Sequence, residues 1–334
     1  MSVRARAVGA GLGAVVLVLS LAGTPAVADD AGSPATPESF TLRDPRITES
    51  SGLAASRAHK GVYWTHNDSD DGPYVYAVDG RTGKTVATVT LRGIDPRDVE
   101  AISVGPDGDV YVGDIGDNLD GTWPEVWIYR FPEPRQLRDT TVTPTRHTVR
   151  YADGPRNAES LMVHPKTGRV YIASKSGEGK GGLYAGPRKL TASGVNTFTR
   201  VSKIDFEATD GAFSPDGTRL VLRAYFSATA YRWKPDGPPV RTGDVNVPLQ
   251  RQGESVTFTP DGRTLMFGSE GAGSTVEPVE MPGAAPDRDK GSGSERGDGD
   301  DDSSGNSSQL ALGAVVFLAA AALWLTLRRI FRHR

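Results

Sequence analysis

Between Ser39 and Pro282 the chain alternates short apolar runs with turn residues, and no run is long enough to make a full helix. From Ala101 the runs read AISV, DVYVGDI from Asp109, VWIYRF from Val126, and the alternating residues Thr145 to Tyr151. Each is rich in Val, Ile and Tyr and is bounded by Gly, Pro or Asp, which predicts β-strands joined by hairpins. The same foursome precedes it as SGLAAS, VYWTHN, YVYAVD and TVATVTL. It follows as SLMV, RVYIAS, GGLYAG and FTRVSKIDF, then as GAFS, RLVLRAY, TAYRWK and VRTGDVNV. The last group, SVTF, TLMFGS and TVEPVEM, lacks a fourth member, whereas Phe40 to Arg43 stands before the first group with no partner. This pattern predicts that the N-terminal strand completes the last sheet and removes an open edge.

Each group opens on one phrase: an acidic residue, a short strand, and usually a Pro-Asp-Gly or Thr-Gly turn. The phrase begins at Glu49, Glu100, Glu159, Asp210 and Glu254, at spacings of 51, 59, 51 and 44 residues. Such a period is that of an all-β unit repeated around a ring. In the turn, proline presets one backbone angle, aspartate caps the next amides, and glycine accepts a positive φ. GAFSPDGTRLVL from Gly211 and SVTFTPDGRTLMF from Ser255 resemble the WD40-like, PD40-type repeats of bacterial periplasmic propellers, and AISVGPDGDVYVGD from Ala101 is similar to NHL- and SMP-30-like repeats. The resemblance implies an all-β β-propeller ectodomain over 39–282, with five blades of four strands. A hairpin in Gln136 to Tyr151 belonging to a further blade would make it six. The shared residues make turns, so the resemblance says little about activity.

In a propeller the first strand of each blade lines the central channel, so Glu49, Glu100, Glu159, Asp210 and Glu254 are expected to converge at one mouth. Carboxylates crowded in this way raise one another's pKa unless a cation compensates. Two readings stay open: a site for a metal or cationic group, or carboxylates that cap backbone amides of the adjacent blade. The following strands end in unlike polar residues, and His66, Asp114, Lys175, Arg223 and Glu270 form a candidate pocket beside the ring. The Asp-rich loops HNDSDDG and DIGDNLDG suit a hard cation, which makes Asp68, Asp114, Asp117 and Asn118 candidate calcium ligands, although neither loop has EF-hand spacing. Catalytic residues are not specified. Binding or recognition at the acidic mouth is the first functional expectation. A calcium- or metal-dependent hydrolase of lactonase, esterase or glycosidase type, using the same carboxylates, is the alternative.

The ends predict where this domain works. Arg4 and Arg6, an apolar run and Ala26-Val27-Ala28 fit a secretory signal peptide over 1–28. A short N-terminal segment, 29–38, follows. After Met281 the chain turns to Gly, Ser, Asp and Pro, which predicts a disordered stalk over 283–308. Leu310 to Leu327 is a strongly apolar, uncharged run of 18 residues within a predicted transmembrane helix over 309–327. Arg328, Arg329, Arg332 and Arg334 make 328–334 a basic cytoplasmic tail. The expected topology is a single-pass cell-membrane protein of a bacterial envelope with its large domain outside. There is no cysteine, which removes disulfide, thiolate-zinc and iron-sulfur chemistry. Between the termini lie 32 of the 38 Lys and Arg residues but all 41 acids, a balance near −9. Nucleic acid is thereby disfavoured as a partner. An envelope protein, a polysaccharide or a small ligand is expected instead, bound by a monomer.

Overall fold

The computed structural model describes residues 37–68, 71–119, 121–176, 180–234 and 237–283. These residues form 21 strands and no helix. The first is the short β1 (Phe40–Thr41), followed by β2 (Ser50–Ala55), β3 (Val62–Asn67), β4 (Tyr74–Asp79) and β5 (Thr85–Leu91). Next come β6 (Val99–Val104), β7 (Asp109–Asp114), β8 (Val126–Pro132), β9 (Thr140–Val142) and β10 (Thr145–Tyr151). The third group is β11 (Ala158–Val163), β12 (Val170–Ser174), β13 (Gly181–Ala185) and β14 (Val195–Ile204). The fourth is β15 (Asp210–Phe213), β16 (Arg219–Ala224), β17 (Ser227–Arg232) and β18 (Val240–Val245), and β19 (Gly253–Phe258), β20 (Thr264–Ser269) and β21 (Thr275–Glu280) end the series.

Within each group the strands, β9 excepted, pair antiparallel in chain order, as expected of short alternating runs joined by tight turns. The turns have the predicted chemistry. Gly217 and Gly262 adopt φ of 74° and 70°, and the Asp216 and Asp261 carboxylates accept the amides of Thr218 and Arg263 at 3.0 and 3.1 Å. β1 pairs antiparallel with β21, Phe40 opposite Val276, so the N-terminal strand completes the sheet β1-β21-β20-β19.

The hairpin expected from Gln136 to Tyr151 does not make a sheet of its own. Its two strands are divided: β10 becomes the fourth strand beside β8, whereas β9 adds parallel to the outer edge of β5. β10 also pairs in parallel with β14 from Thr148 opposite Val195, which fuses two sheets at their rims into one of eight strands. Both strands thereby cover sheet edges that would otherwise be open.

The sheets pack face to face in a cycle. One buried cluster joins Trp64, Val75 and Val89 of the first group to Val112, Tyr129 and Phe131 of the second. A second joins Ile128 and Val149 to Leu161 and Ile172, and a third joins Leu183 and Tyr171 to Leu220 and Phe213. The fourth holds Val221 against Phe258 and Phe267. The fifth brings Phe40, Leu42, Met266 and Val276 back against Leu53, Tyr63 and Tyr76 of the first group. The innermost strands β2, β6, β11, β15 and β19 touch in the same cyclic order. The result is a propeller-like all-β fold. Its apolar positions are split between both faces of each sheet, and this is why most strands read as continuous apolar runs. Among the described residues no helix is long and apolar enough to cross a membrane. The predicted signal peptide, span and tail, and the stalk beyond Gly283, lie outside the described residues.

Candidate acidic mouth

The inner strands carry a shared distortion that decides which side chains face the centre. β2, β6, β11 and β19 each contain a bulge, so that Ser51, Glu100, Glu159 and Glu254 have no direct partner on the neighbouring strand. A bulge re-aims the extra residue. Glu100, Glu159 and Glu254 are all buried, at 3, 3 and 5% exposure, despite being carboxylates. In β15 the register runs without a shift, and Asp210 sits directly opposite Arg223.

Two expected members of the acidic ring are consequently placed differently. Asp210 occupies the position of Ala101, Ser160 and Ser255, one residue beyond the bulge. Its carboxylate accepts the amides of Gly211 and Val256, both at 2.7 Å, and so clasps β15 to β19. Glu49 lies two residues before the bulge residue Ser51, in the place that Asp98 holds before Glu100 and Gln252 before Glu254. Backbone bonds fix this equivalence: the carbonyls of Glu49, Asn157 and Gln252 accept the amides of Asp68, Lys175 and Glu270 at 2.9, 3.0 and 3.0 Å.

Asp68, Lys175 and Glu270 therefore occupy one equivalent position, just past the second strand of their groups. Tyr225 holds the same place in the fourth group. Asp68 and Lys175 meet the bulge residues Glu100 and Glu159. Lys175 Nζ donates to Glu159 Oε1 at 2.5 Å and to the Tyr225 hydroxyl at 2.6 Å. Gln252 donates to Glu254 at 3.0 Å, and the Ser51 hydroxyl donates to Glu100 Oε2 at 3.1 Å. Asp68 belongs to two carboxylate triads, one with Asp98 and Glu100 and one with Glu49 and Glu270, and within each the ligand oxygens lie within 4.8 Å of one another.

The other pocket candidates lie deeper. His66, one pair inward from the mouth, is buried, donates Nδ1–H to the Asn67 carbonyl at 2.8 Å, and is kept neutral by burial. Arg223 is wholly buried; its guanidinium donates to the carbonyls of Ser255 and Gly268 at 2.6 and 2.9 Å and to Gln250 at 2.7 Å. Asp114 accepts the Asp98 amide at 2.9 Å and the Tyr129 hydroxyl at 3.0 Å. Asp117 accepts the Trp123 amide at 2.6 Å. Of the four residues read as calcium ligands, Asp114 and Asp117 are thus spent on local caps, while Asn118 donates to Asp98 Oδ2 at 3.2 Å. Only Asp68 joins a carboxylate triad.

Burial and mutual repulsion raise the pKa values here. Burial, then the nearby Asp68, lifts Asp98 to about 7. Burial lifts Glu159 to about 8 even with Lys175 pulling the other way. Glu100 is driven well above the usual range by burial and then by Asp68, and Glu254 is raised by burial. Lys175 is held charged by Glu159 although burial opposes it. Asp98, Ser51, Tyr225 and Gln252 were not among the sequence candidates. What the sequence does carry is the bulge, as a distance to the turn in the groups where a proline follows the strand. Glu100, Glu159 and Glu254 stand six residues before Pro106, Pro165 and Pro260, whereas Asp210 stands five before Pro215.

No family model matches this sequence, and no curated protein matches it. Among solved structures, a chain of the mitotic checkpoint complex is 16% identical with a TM-score of 0.37, covering 69% of this chain and 60% of that one. The structure of U3-55K is 12% identical with a TM-score of 0.39, covering 70% and 68%. Hydrazine synthase of Kuenenia stuttgartiensis is 14% identical with a TM-score of 0.39, covering 66% and 61%. This chain thus spans less than two thirds of the first of these.

Proposed function

We propose that the chain is an extracytoplasmic recognition module: a β-propeller of five four-stranded blades, closed by β1 and tethered to the cell membrane through 309–327. It binds a cationic group of an envelope protein, polysaccharide or small ligand at its acidic mouth. The observation that carries this reading is the charge imbalance among side chains brought to one place. Glu49, Asp68, Asp98, Glu100, Glu159, Glu254 and Glu270 gather there, with Lys175 bonded to Glu159. Holding buried carboxylates without matching cations costs free energy, and a cation from outside returns it. Glu100 and Glu254 take their hydrogen bonds from neutral groups, a serine hydroxyl and a glutamine amide.

The test is binding of an oligolysine peptide to the full-length chain in detergent, followed by calorimetry at low and high salt. Binding that weakens with salt, and is lost in Glu100→Gln/Glu159→Gln with the β-sheet circular dichroism retained, is the expected result. An oligolysine that fails to bind, or binds the double variant equally, overturns the reading.

A further inference from the structure

One strand stands outside the four-strand pattern: β9 adds parallel to β5 and makes the first sheet five strands wide. Beside it lies a groove of about 710 Å³, floored by β4, β5 and β9 and walled by the segment from Pro45 to Thr48. Small-ligand sites occupy roughly 300–1,000 Å³. The two faces of the floor differ in chemistry. Ala87, Val89, Leu91 and Val142 turn to the apolar cluster shared with the second group. On the groove side the register sets Tyr74 opposite Thr90 and Thr90 opposite Thr141, a row across three strands, with Tyr76 opposite Thr88 behind it.

The polar groups behind this row are held in place by the fold. Tyr76 donates its hydroxyl to Asp71 Oδ2 at 3.1 Å, and Asn67 donates to the same oxygen at 2.7 Å. Asp139 accepts the Thr88 amide at 2.8 Å. Arg46 is held by Asp44 at 2.7 Å, donates to the Thr88 hydroxyl at 3.2 Å, and sets its guanidinium 5.2 Å from the centre of the Tyr76 ring. Thr88 and Tyr76 are buried, whereas Tyr74 is 39% exposed. Polar groups fixed in advance need little ordering when a ligand arrives.

We infer that this groove binds a neutral saccharide, with Tyr74 as its platform and the Thr90 and Thr141 hydroxyls as its partners. The site shares no residue with the acidic mouth, and the inference does not rest on the recognition reading. Each charged group at the groove already takes hydrogen bonds within the protein. Anions meet Asp71 and Asp139 and cations meet Arg46, so neither sign of charge is favoured. What the groove offers is hydroxyls that both donate and accept, carboxylate lone pairs that accept, and an exposed ring. A sugar matches all three: its hydroxyls give and take hydrogen bonds, and the C–H face of a pyranose ring is apolar enough to lie on a tyrosine.

The experiment is saturation-transfer NMR on the full-length chain in a non-glycosidic detergent, with maltotetraose, cellotetraose, α1,6-mannotetraose and chitotetraose titrated separately. At least one should bind with a Kd of about 0.1–1 mM, the level of an open polar groove. Tyr74→Ala should weaken that binding by about tenfold and Tyr74→Phe should retain it, since the ring is what the sugar face needs. Thr90→Val, which keeps the shape and removes the hydroxyl, should weaken it by about threefold to tenfold and carries the test should Tyr74→Ala fold poorly. Phe226→Ala, which removes an exposed ring of another group, should leave it unchanged. Oligolysine binding should survive Tyr74→Ala, so the two sites are read independently. Failure of all four sugars to bind up to about 10 mM overturns the inference. Sugar binding that persists in both Tyr74→Ala and Thr90→Val lies elsewhere and overturns it too. Loss of oligolysine binding in Tyr74→Ala makes the groove a cation site and equally overturns it.

Discussion

A carboxyl group pushed up by its fold makes the native state weaker as pH rises, and Asp98 allows this to be worked through. Its pKa moves from 3.8 to about 7 on folding. Between these values the folded chain binds more protons than the unfolded one, so stability falls with rising pH. The contribution is intact below about pH 4 and fully lost above about pH 7. At 1.36 kcal/mol per unit, a shift of roughly three units amounts to about 4 kcal/mol. Asp98→Asn keeps the shape, cannot ionise, and retains a group for Asn118 to meet. The variant should therefore lie within about 1 kcal/mol of the native chain near pH 4.5. By pH 8 it should be more stable, by about 4 kcal/mol, or about 8–16 °C in unfolding temperature for a domain of this size. The assay is thermal unfolding followed by circular dichroism, both proteins at half-unit steps from pH 4.5 to 8.5. A native profile that rises or stays flat over this range refutes the reasoning, as does an Asp98→Asn chain no more stable than native at pH 8.

Arg223→Met should lower stability by about 3–5 kcal/mol, because it strands the carbonyls of Ser255 and Gly268 in the interior; denaturant unfolding of the full chain reads the change. Asp210→Asn should also destabilise, by about 1–3 kcal/mol, since an amide cannot accept from both Gly211 and Val256, and oligolysine binding per folded molecule should be unchanged. Phe40→Ala should cost about 3–5 kcal/mol through the cavity left against Tyr63, with which its ring stacks at 5.5 Å; a loss under 1 kcal/mol would show that β1 is not needed for closure. Expressed in a bacterium, the chain should sediment with membranes, begin at Asp29 by mass spectrometry, and lose its large domain to protease added outside the cell.

The strands, their grouping and the use of Phe40 to close the last sheet were legible because each rests on local alternation and turn chemistry. The site was legible only in part. Counting acids at the head of each phrase aligned Glu49 and Asp210 with Glu100, whereas a bulge adds one residue and moves a side chain to a new face. The missing residue shows in the sequence as five positions, not six, between Asp210 and Pro215. For Glu49, no Pro-Asp-Gly turn follows the strand, so the offset to Ser51 had no ruler. His66 and Arg223 looked equivalent to Lys175 by their place near strand ends, but the register puts them opposite Gly52 and Asp210, inside the protein. Asp98 escaped notice because its role depends on Asp68, which comes from the preceding group.

The chain leaves the ring from β21, which lies between β1 and β20 and is hydrogen-bonded to both. A pull on the segment beyond it, from a tether or a bound partner, is thus applied to an interior strand. Only its first two residues, Thr275 and Val276, pair with β1, opposite Thr41 and Phe40, whereas Glu277 to Glu280 at the exit pair with β20 alone. A pull therefore opens the exit end along one ladder and meets the doubled part last.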